Sequence, residues 1–268
     1  MQTQYLERPG GNLAYSDYGG ERELVLMLPG MGALRSEYRF LAPKLKEAGY
    51  HAVTMDLRGH GESSIPWASY DVPSVGEDIL ALVERLEAGE AHLIGTSFSA
   101  AAVVWAAVER TDLTRSLVLI SPFVRAAKLN PIMNGLFWLM VHNPWRVQAW
   151  LMYYSTLYPT QKPSDFQDYI KRLSENLAEK GRFDAAIALA YSSRQPSEER
   201  LNRVEAPVLV IMGTKDPDFP DPSAEGRYIT EQTHGELELI EGAGHYPQTE
   251  MPDETNPIVV NFLKGQGG

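Results

Sequence analysis

The feature that most constrains the fold of this chain is an alternation of short apolar runs with helix-length amphipathic stretches. The runs are rich in Val, Leu and Ile, which is typical of strands buried on both faces. They span residues 24–28, 51–55, 91–95, 116–120, 208–212 and 236–240. Strands separated by helices favour parallel pairing. The sequence predicts an α/β fold with a mostly parallel sheet flanked by helices, and residues 12–18 as an antiparallel edge strand.

The stretches between the runs carry helix signals at their ends. Helices are predicted over residues 36–48, 74–88, 98–110, 222–232 and 253–263. Gly49 and Gly89 suit the left-handed position that ends a helix. Ser74 followed by Glu77 is a capping box, which predicts that the second helix begins at this serine. The alanine-rich stretch 98–110 is apolar on nearly every side, so we expect it to be buried.

The alternation stops after residue 121 and resumes at Val208. Residues 123–195 contain no strand-like run followed by a helix. The part from 137 to 158 is dense in aromatic and methionine side chains, and residues 165–190 have helical composition. We interpret residues 122–195 as a helical cap inserted between two segments of the core, 1–121 and 196–268. Rings and adaptable methionines suit an apolar pocket, so the candidates for substrate binding are Phe137, Trp138, Met140, Trp150 and Tyr154.

Charge and composition argue against several classes of protein. The net charge is −11 at pH 7 and no basic run occurs, so a nucleic-acid partner is not expected. The absence of cysteine excludes disulfides and thiolate chemistry. The first residues lack a signal-peptide pattern. The most apolar stretch is far shorter than the roughly 18 residues of a spanning helix, which predicts no membrane span and a cytoplasmic location.

The strongest chemical signal is Gly95-Thr96-Ser97-Phe98-Ser99, between a predicted strand and a predicted helix. A serine there, with small residues two positions to either side, is typical of the nucleophile elbow. The turn is so sharp that larger neighbours would collide with the strand and the helix. It lifts the serine hydroxyl above the sheet edge and aims the Phe98 amide at a developing oxyanion. Serine at the second small position departs from the more usual glycine.

With this elbow the chain resembles the α/β-hydrolase family, and two further segments carry the resemblance. The segment Leu28-Pro29-Gly30-Met31-Gly32 follows the first run. The resemblance implies that the Met31 amide is the second donor of an oxyanion hole, although the family more often has His-Gly where this chain has Pro29-Gly30. Residues 56–64 are similar to the loop after the family's fourth strand. His60 in that loop is therefore interpreted as structural.

The same resemblance implies the remaining members of a catalytic triad. Asp216 lies in the turn after the run 208–212, where the family places its acid, and Asp218 and Asp221 are its rivals. His245 lies among glycines after the last run, in a loop expected to be flexible enough to reach the nucleophile. The order Ser97, Asp216, His245 is the order of this fold.

These residues predict a serine hydrolase acting through an acyl-enzyme on Ser97. The expected substrates are small or medium apolar carboxylic esters, and no metal or cofactor is expected. The same triad also serves a lactonase, for example on acyl-homoserine lactones, and a carbon–carbon bond hydrolase. A ligand-binding receptor or regulator that kept the fold is an alternative of another class. The oligomeric state is left open.

Overall fold

The computed structural model of the chain describes residues 2–125, 131–142 and 144–267. Within them one sheet has eight strands: β1 (Gln4–Arg8), β2 (Gly11–Gly19), β3 (Leu24–Leu28), β4 (His51–Met55), β5 (Ala91–Thr96), β6 (Thr114–Ile120), β7 (Val208–Gly213) and β8 (Glu236–Ile240). Their order is β1-β2-β4-β3-β5-β6-β7-β8. The pairs β1–β2 and β2–β4 are antiparallel, and the other neighbours are parallel. The predicted α/β fold class is confirmed.

The helices of the described residues lie between these strands and after them. They are α1 (Leu41–Glu47), α2 (Val72–Arg85), α3 (Phe98–Glu109), α4 (Pro131–His142), α5 (Arg146–Thr156), α6 (Phe166–Ala178), α7 (Arg182–Tyr191), α8 (Gln195–Glu198), α9 (Pro222–Thr233), α10 (Pro247–Glu250) and α11 (Pro252–Gly265). Short 3-10 turns cover Arg35–Tyr38, Thr111–Leu113 and Leu201–Arg203.

The core lies on both faces of the sheet, and β3 shows how its sequence divides between them. Leu24, Leu26 and Leu28 pack on the side of α2, α3 and α9, whereas Val25 and Met27 pack on the side of α1 and α11. Successive side chains of a strand point to opposite faces, so a strand covered on both faces must be apolar throughout. As expected, α3 is also buried on nearly every side.

The strand order changes direction between β3 and β5. Strand β4 pairs with one edge of β3, whereas β5 pairs with the other edge and is followed outward by β6, β7 and β8. In open α/β sheets the crevice at the carboxyl ends of the strands beside such a switch point is the usual ligand site. The elbow and the segment after β3 both lie at this crevice.

Two strand predictions need correction. Residues 12–18 were expected at the edge of the sheet, but β1 pairs outside β2 and takes the edge. The last run was expected to be buried on both faces, yet β8 is an edge strand in which Glu236 and Glu238 are exposed and Leu239 is 40% exposed. Its alternating Glu and Leu residues suit a strand with one wet face.

The predicted helix 36–48 is divided into a 3-10 turn and α1. Pro43 explains the division, because its ring would clash with the carbonyl of Arg39 in a continuous helix and it has no N–H to donate. Helix α1 therefore begins at Leu41, just before the proline.

The second predicted helix begins earlier than the capping box indicated. Helix α2 starts at Val72, and the Oδ1 atom of Asp71 accepts the Ser74 N–H at 2.9 Å. Asp71 is thus the N-cap, followed by Pro73 in the first turn, where a missing N–H costs nothing. The helix ends at Arg85, and Glu87 and Gly89 then adopt positive φ angles.

The described residues between β6 and β7 are helical and contain no strand. They form α4 to α8, and α5, α6 and α7 share an apolar cluster that includes Trp150, Leu173 and Phe183. Residues 126–130 and 143 of the predicted cap lie outside the described part of the chain. The division into a core and a cap at residues 121 and 195 remains our interpretation.

Candidate active site

Ser97 lies in the sharp turn between β5 and α3. Its φ of 57° and ψ of −119° are outside the regions that L-residues favour, a strain of about 1–3 kcal/mol. The turn is held by hydrogen bonds from the Ser97 N–H to the Ile120 carbonyl (2.9 Å) and from the Phe123 N–H to the Ser97 carbonyl (3.1 Å). Strain kept in place by neighbouring strands is typical of a functional residue.

The residues around Ser97 are small because larger side chains would collide with neighbouring atoms. A Cβ atom on Gly95 would lie 2.7 Å from the backbone of Ser99 and Ala100. A Cβ atom on Gly30 would lie 3.3 Å from the Ser97 Cβ atom and 3.2 Å from the Tyr246 hydroxyl. The segment after β3 and the residue following His245 therefore both close on the serine.

His245 and Asp216 are in direct contact. The Nδ1 atom of His245 lies 2.8 Å from the Oδ2 atom of Asp216, and both side chains are buried. The His245 N–H donates to the Leu157 carbonyl after α5 (3.0 Å), so the histidine loop is tied to the helical segment. Asp216 and His245 follow β7 and β8, at the same end of the sheet as Ser97.

The glycines of the histidine loop permit close packing. A Cβ atom on Gly213 would lie 2.1 Å from the Gly244 carbonyl oxygen, and one on Gly244 would lie 2.2 Å from the Leu157 carbonyl oxygen. Residues 242–250 are all buried. The loop was expected to reach the nucleophile by flexibility, whereas here its position comes from tight backbone contacts.

Asp218, the rival acid, also faces the imidazole. Its Oδ2 atom lies 3.6 Å from the His245 Nδ1 atom, too far for a hydrogen bond but close enough for strong Coulombic attraction. Its N–H donates to the Oδ1 atom of Asp216 (3.0 Å), and the Tyr153 hydroxyl from α5 donates to its carboxylate. Burial raises the pKa of Asp218, against the attraction of His245.

Two carboxylates beside one imidazole make it a strong base. Burial lowers the pKa of His245, but the charges of Asp216 and Asp218 and the hydrogen bond to Asp216 outweigh burial and raise the pKa to about 9. The Nδ1 atom is occupied by Asp216, so Nε2 is the atom left to exchange a proton with a hydroxyl, as in a serine triad.

The two predicted oxyanion donors belong to two different segments next to Ser97. The Met31 amide follows β3, and the Phe98 amide begins α3. Among the described residues neither amide has a hydrogen-bond partner, while the neighbouring Ala33 N–H donates to the Gly30 carbonyl (3.2 Å). Free amides beside a nucleophile are the donors that an oxyanion hole requires.

His60 supports the oxyanion segment. Its Nε2 atom accepts the Gly32 N–H at 3.0 Å, and its Nδ1 atom lies 3.0 Å from the Arg58 carbonyl. Burial lowers the pKa of His60 to about 4, so the ring is neutral and can accept at Nε2. The structure thus agrees with the interpretation of His60 as a structural residue.

Four of the five predicted substrate residues belong to one apolar cluster, namely Phe137, Met140, Trp150 and Tyr154, whereas Trp138 lies outside it. Trp150 is buried, and its ring would be 2.6 Å from a Cβ atom on Gly32, next to Met31. Tyr154 is buried against the ring of Tyr246, with centroids 5.1 Å apart. Both lie over the segments that close on Ser97.

The other three candidates belong to α4. Trp138 is 56% exposed and stacks on His142, which places it on an outer surface. Phe137 is partly buried and packs edge-on against Tyr191, and Met140 is partly buried in the cluster with Trp150. With its ring more than half exposed, Trp138 is not brought to the site by the described part of the structure.

Sequence reasoning missed several residues beside the triad. Phe123 and Phe219 stack on each other with centroids 4.6 Å apart and lie 5.8 and 6.3 Å from the His245 ring. Tyr153 and Glu37 contact the acid loop and the oxyanion segment, respectively. Tyr153 belongs to the noted aromatic stretch, but Glu37 carried no signal, because a glutamate in a helical pattern is ordinarily exposed.

The described residues include one group with the geometry to hold a cation, formed by Asp216, Asp218 and His245, whose ligand atoms lie within 4.8 Å of one another. A cation bound there would take the Nδ1 atom that Asp216 now holds. It would therefore compete with the acid–base arrangement.

Comparisons with known proteins agree with this geometry. The chain matches the Alpha/beta hydrolase family over residues 25–258, and it belongs to that family. The α/β-hydrolase resemblance seen in the sequence is thus confirmed, and the chain is a hydrolase of this family. Among the described residues, no helix has the length and apolar character needed to cross a membrane.

Individual relatives cover 80% or more of the chain at low identity. The 3-oxoadipate enol-lactonase 2 of Acinetobacter baylyi is 27% identical over 230 residues, 80% of this chain and 79% of that protein. The 2-hydroxy-6-oxononadienedioate/2-hydroxy-6-oxononatrienedioate hydrolase 1 of Pseudomonas putida is 26% identical over 268 residues, 94% of this chain and 92% of that protein. The esterase EaEST from Exiguobacterium antarcticum has the same fold, with a TM-score of 0.85, 20% identity, and coverage of 98% of this chain and 100% of the esterase.

Proposed function

We propose that this chain is a serine esterase that cleaves small or medium apolar carboxylic esters through an acyl-enzyme on Ser97. The observation that carries the proposal is the 2.8 Å contact between His245 Nδ1 and Asp216 Oδ2, at the same sheet end as a serine in a strained elbow. A buried imidazole held at one nitrogen by a carboxylate is the arrangement that activates a serine.

The first half of the reaction forms the acyl-enzyme. His245 Nε2 accepts the hydroxyl proton as Ser97 Oγ attacks the ester carbon, and the carbonyl oxygen becomes an oxyanion. The amides of Met31 and Phe98 donate to that oxygen, each worth about 3 kcal/mol by the usual effect of removing such a donor. The tetrahedral intermediate then collapses, and the imidazolium gives its proton to the departing alcohol.

The second half releases the acid. Water enters, His245 accepts one of its protons, and the hydroxide attacks the acyl carbon with the same two amides on the oxyanion. Collapse returns the proton to Ser97 and frees the carboxylic acid. Asp216 holds the imidazole in one tautomer and stabilises its charged form in both halves.

The apolar substrate class is supported by the rings around the imidazole. Phe123 and Phe219 are partly exposed and stacked beside His245, and Tyr246 packs edge-on to it with centroids 5.0 Å apart. Aromatic side chains gain most from burying apolar groups, since they present a large surface with few rotamers. An alkyl or aryl group of the ester therefore suits this wall of the site.

The test is hydrolysis of p-nitrophenyl esters of increasing acyl length by the wild type and by Ser97→Ala. We expect wild-type turnover with an optimum at short or medium chains, and a loss of about 10⁴-fold or more in the variant. Equal activity in the variant would mean that another group is the nucleophile. No wild-type activity on any ester would remove the esterase proposal.

A lactonase is the second candidate, and the observation that favours it is the relative named 3-oxoadipate enol-lactonase 2, which is 27% identical to this chain. A lactone is a cyclic ester, so the same residues would open it through the same intermediates. Rates on lactones and linear esters of equal carbon number distinguish the two candidates. A ratio of kcat/KM above about 10 in favour of the lactone would replace the esterase assignment, since it corresponds to more than 1.4 kcal/mol of differential binding of the transition state.

A further inference from the structure

The peptide that precedes Met31 is held on both of its sides. Ser99 Oγ donates a hydrogen bond to the Pro29 carbonyl oxygen. The Gly30 N–H, at the opposite edge of the same planar peptide, donates to the Oε2 atom of Glu37 at 3.1 Å. A planar peptide fixed at both its oxygen and its hydrogen cannot rotate without breaking one of these bonds.

Glu37 is itself fixed by its neighbours. Its side chain is buried, and its Oε1 atom accepts a hydrogen bond from Gln248 Nε2 at 2.7 Å. The Thr249 hydroxyl donates to the Glu37 carbonyl oxygen at 3.1 Å. Gln248 and Thr249 belong to α10, which follows His245. The carboxylate thus joins the oxyanion segment to the end of the histidine loop.

The neighbouring peptides of the segment are also held. The Tyr38 hydroxyl donates to the Leu28 carbonyl at 2.8 Å, and His60 accepts the Gly32 N–H. The Met31 amide lies between these bonded groups and has no partner among the described residues. Every bond in this set constrains the direction of that one free N–H.

We propose that Glu37 and Ser99 are positioning residues for the oxyanion hole, which clamp the Pro29–Gly30 peptide from both sides and thereby aim the Met31 amide at the reacting oxygen. The inference rests on the proposed function of Ser97. It gives a role to the serine that replaces glycine at the second small position of the elbow, because glycine has no hydroxyl to donate to Pro29. It also explains a buried acid that the reaction itself does not use.

The first test compares two variants of the clamp with two matched controls. Glu37→Met and Ser99→Ala each remove one side of the clamp, because neither new side chain can hydrogen-bond to the Pro29–Gly30 peptide. Asp78→Asn changes a buried acid bound by Arg58 (2.8 Å), and Ser116→Ala removes a buried hydroxyl that contacts His92 (2.7 Å). Neither control contacts the site, so they report the general effect of losing a buried polar bond.

We expect kcat for the best p-nitrophenyl ester to fall about 10- to 100-fold in each clamp variant, with KM changed less than about 3-fold. Misdirecting one donor should cost less than the 10²- to 10³-fold lost when a donor is removed. The controls should lower the melting temperature and leave kcat within about 2-fold. Fluorophosphonate titration of Ser97 corrects each kcat for the fraction of folded enzyme.

The second test reads the oxyanion hole directly. A trifluoromethyl ketone with the chain length of the best ester forms a bond from Ser97 Oγ to the ketone carbon, the serine proton passes to His245, and the ketone oxygen becomes the oxyanion. Its inhibition constant should rise in the clamp variants by about the factor by which kcat/KM falls. A purely structural role would lower the titratable fraction without this parallel change.

The third test is a rescue. Both partners of Glu37 donate hydrogen bonds, but the Gln248 amide can turn over, since its Oε1 atom is buried without a hydrogen-bond partner among the described residues. In Glu37→Gln the amide at position 37 can therefore donate to Gln248 Oε1, and its oxygen remains for the Gly30 N–H. We expect kcat to return to within about 5-fold of the wild type.

The outcomes separate the two proposals. If the wild type hydrolyses esters, Ser97→Ala does not, and both clamp variants keep wild-type kcat and ketone affinity, the clamp is wrong and the esterase stands. If the wild type is inactive on every ester and the ketone does not bind, the proposed function fails first. A Glu37→Gln variant that folds and titrates normally but is as slow as Glu37→Met would also overturn the role of Glu37.

Discussion

The sheet side and the cap side of the site are built in different ways. On the sheet side, Ser97, Asp216 and His245 follow strand ends, and backbone hydrogen bonds or close glycine contacts position them. On the cap side, α5 presents mainly rings, among them Trp150 and Tyr154. Under the proposed function, this difference predicts that the sheet side sets the reaction and that the rings of α5 contribute to substrate fit and stability.

One polar contact joins the side chains of α5 to the acid loop within the described residues. The Tyr153 hydroxyl donates to Asp218, which lies beside the Asp216–His245 pair. If the two sides were independent, substitutions at this contact would leave the acid–base behaviour of His245 unchanged.

Loss of the triad acid should have the largest effect. We expect Asp216→Asn to lower kcat about 10⁴-fold with little change in KM, because the amide favours the wrong imidazole tautomer and does not stabilise the imidazolium. Steady-state kinetics on the best ester measure this. Asp221→Asn is the matched control, since Asp221 only caps α9 through the Ala224 N–H (2.9 Å). A similar loss in both variants would contradict the assignment of the acid.

On the cap side, two tryptophans should differ sharply in their contribution to stability. Trp150 is 3% exposed and Trp138 is 56% exposed. Trp150→Ala should lower the free energy of unfolding by about 3–5 kcal/mol, the usual effect of emptying a buried aromatic site. Trp138→Ala should change it by about 0.5 kcal/mol or less. Urea denaturation measures both free energies. Equal losses would show that the different exposure of the two side chains does not decide their contribution to stability.

The charge of Asp218, which contacts Tyr153 of α5, should affect the pH dependence of the reaction. His245 can accept a proton only when neutral, so with a pKa of about 9 the activity should rise as the pH increases towards and beyond 9. Asp218→Asn removes a charge that stabilises the imidazolium and so lowers this pKa. The acid limb of kcat/KM should move to lower pH, and the activity at pH 7 should rise a few-fold.

Tyr153→Phe is the control for that shift, because it removes the hydroxyl and keeps the carboxylate beside His245. Its acid limb should stay closer to that of the wild type than the limb of Asp218→Asn does. Profiles of kcat/KM from pH 5 to 10 decide between them. An unchanged limb in Asp218→Asn would mean that this charge does not act on the imidazole.

The sequence predicted those parts of the molecule that depend on local pattern. One strand–turn–helix unit consists of the run 91–95, the turn with Ser97 and the alanine-rich helix. Its small residues occur where the turn leaves no space for larger side chains. The local structure around Ser97 could therefore be predicted without knowing which distant segments pack against it. The helix boundaries at Leu41 and Val72 were also encoded locally, by Pro43 and Asp71, but the prediction gave more weight to helical periodicity and to Ser74.

The features that sequence could not provide depend on which distant segments meet. Glu37 and Gln248 are 211 positions apart, and their hydrogen bond exists only because α10 packs beside the oxyanion segment. Trp138 and Trp150 have the same composition signal, yet one is exposed and the other buried. The rotation of each helix against its neighbours decides this, and single residues do not encode it.

The proposed reaction requires that Ser97 is the nucleophile and that Asp216 and His245 activate it. The most direct measurement is peptide mapping by mass spectrometry after reaction with a fluorophosphonate, in the wild type and in Asp216→Asn. We expect one adduct per chain, on Ser97, formed far more slowly in the variant. An adduct on another residue, or ester hydrolysis that continues with Ser97 fully labelled, would contradict it.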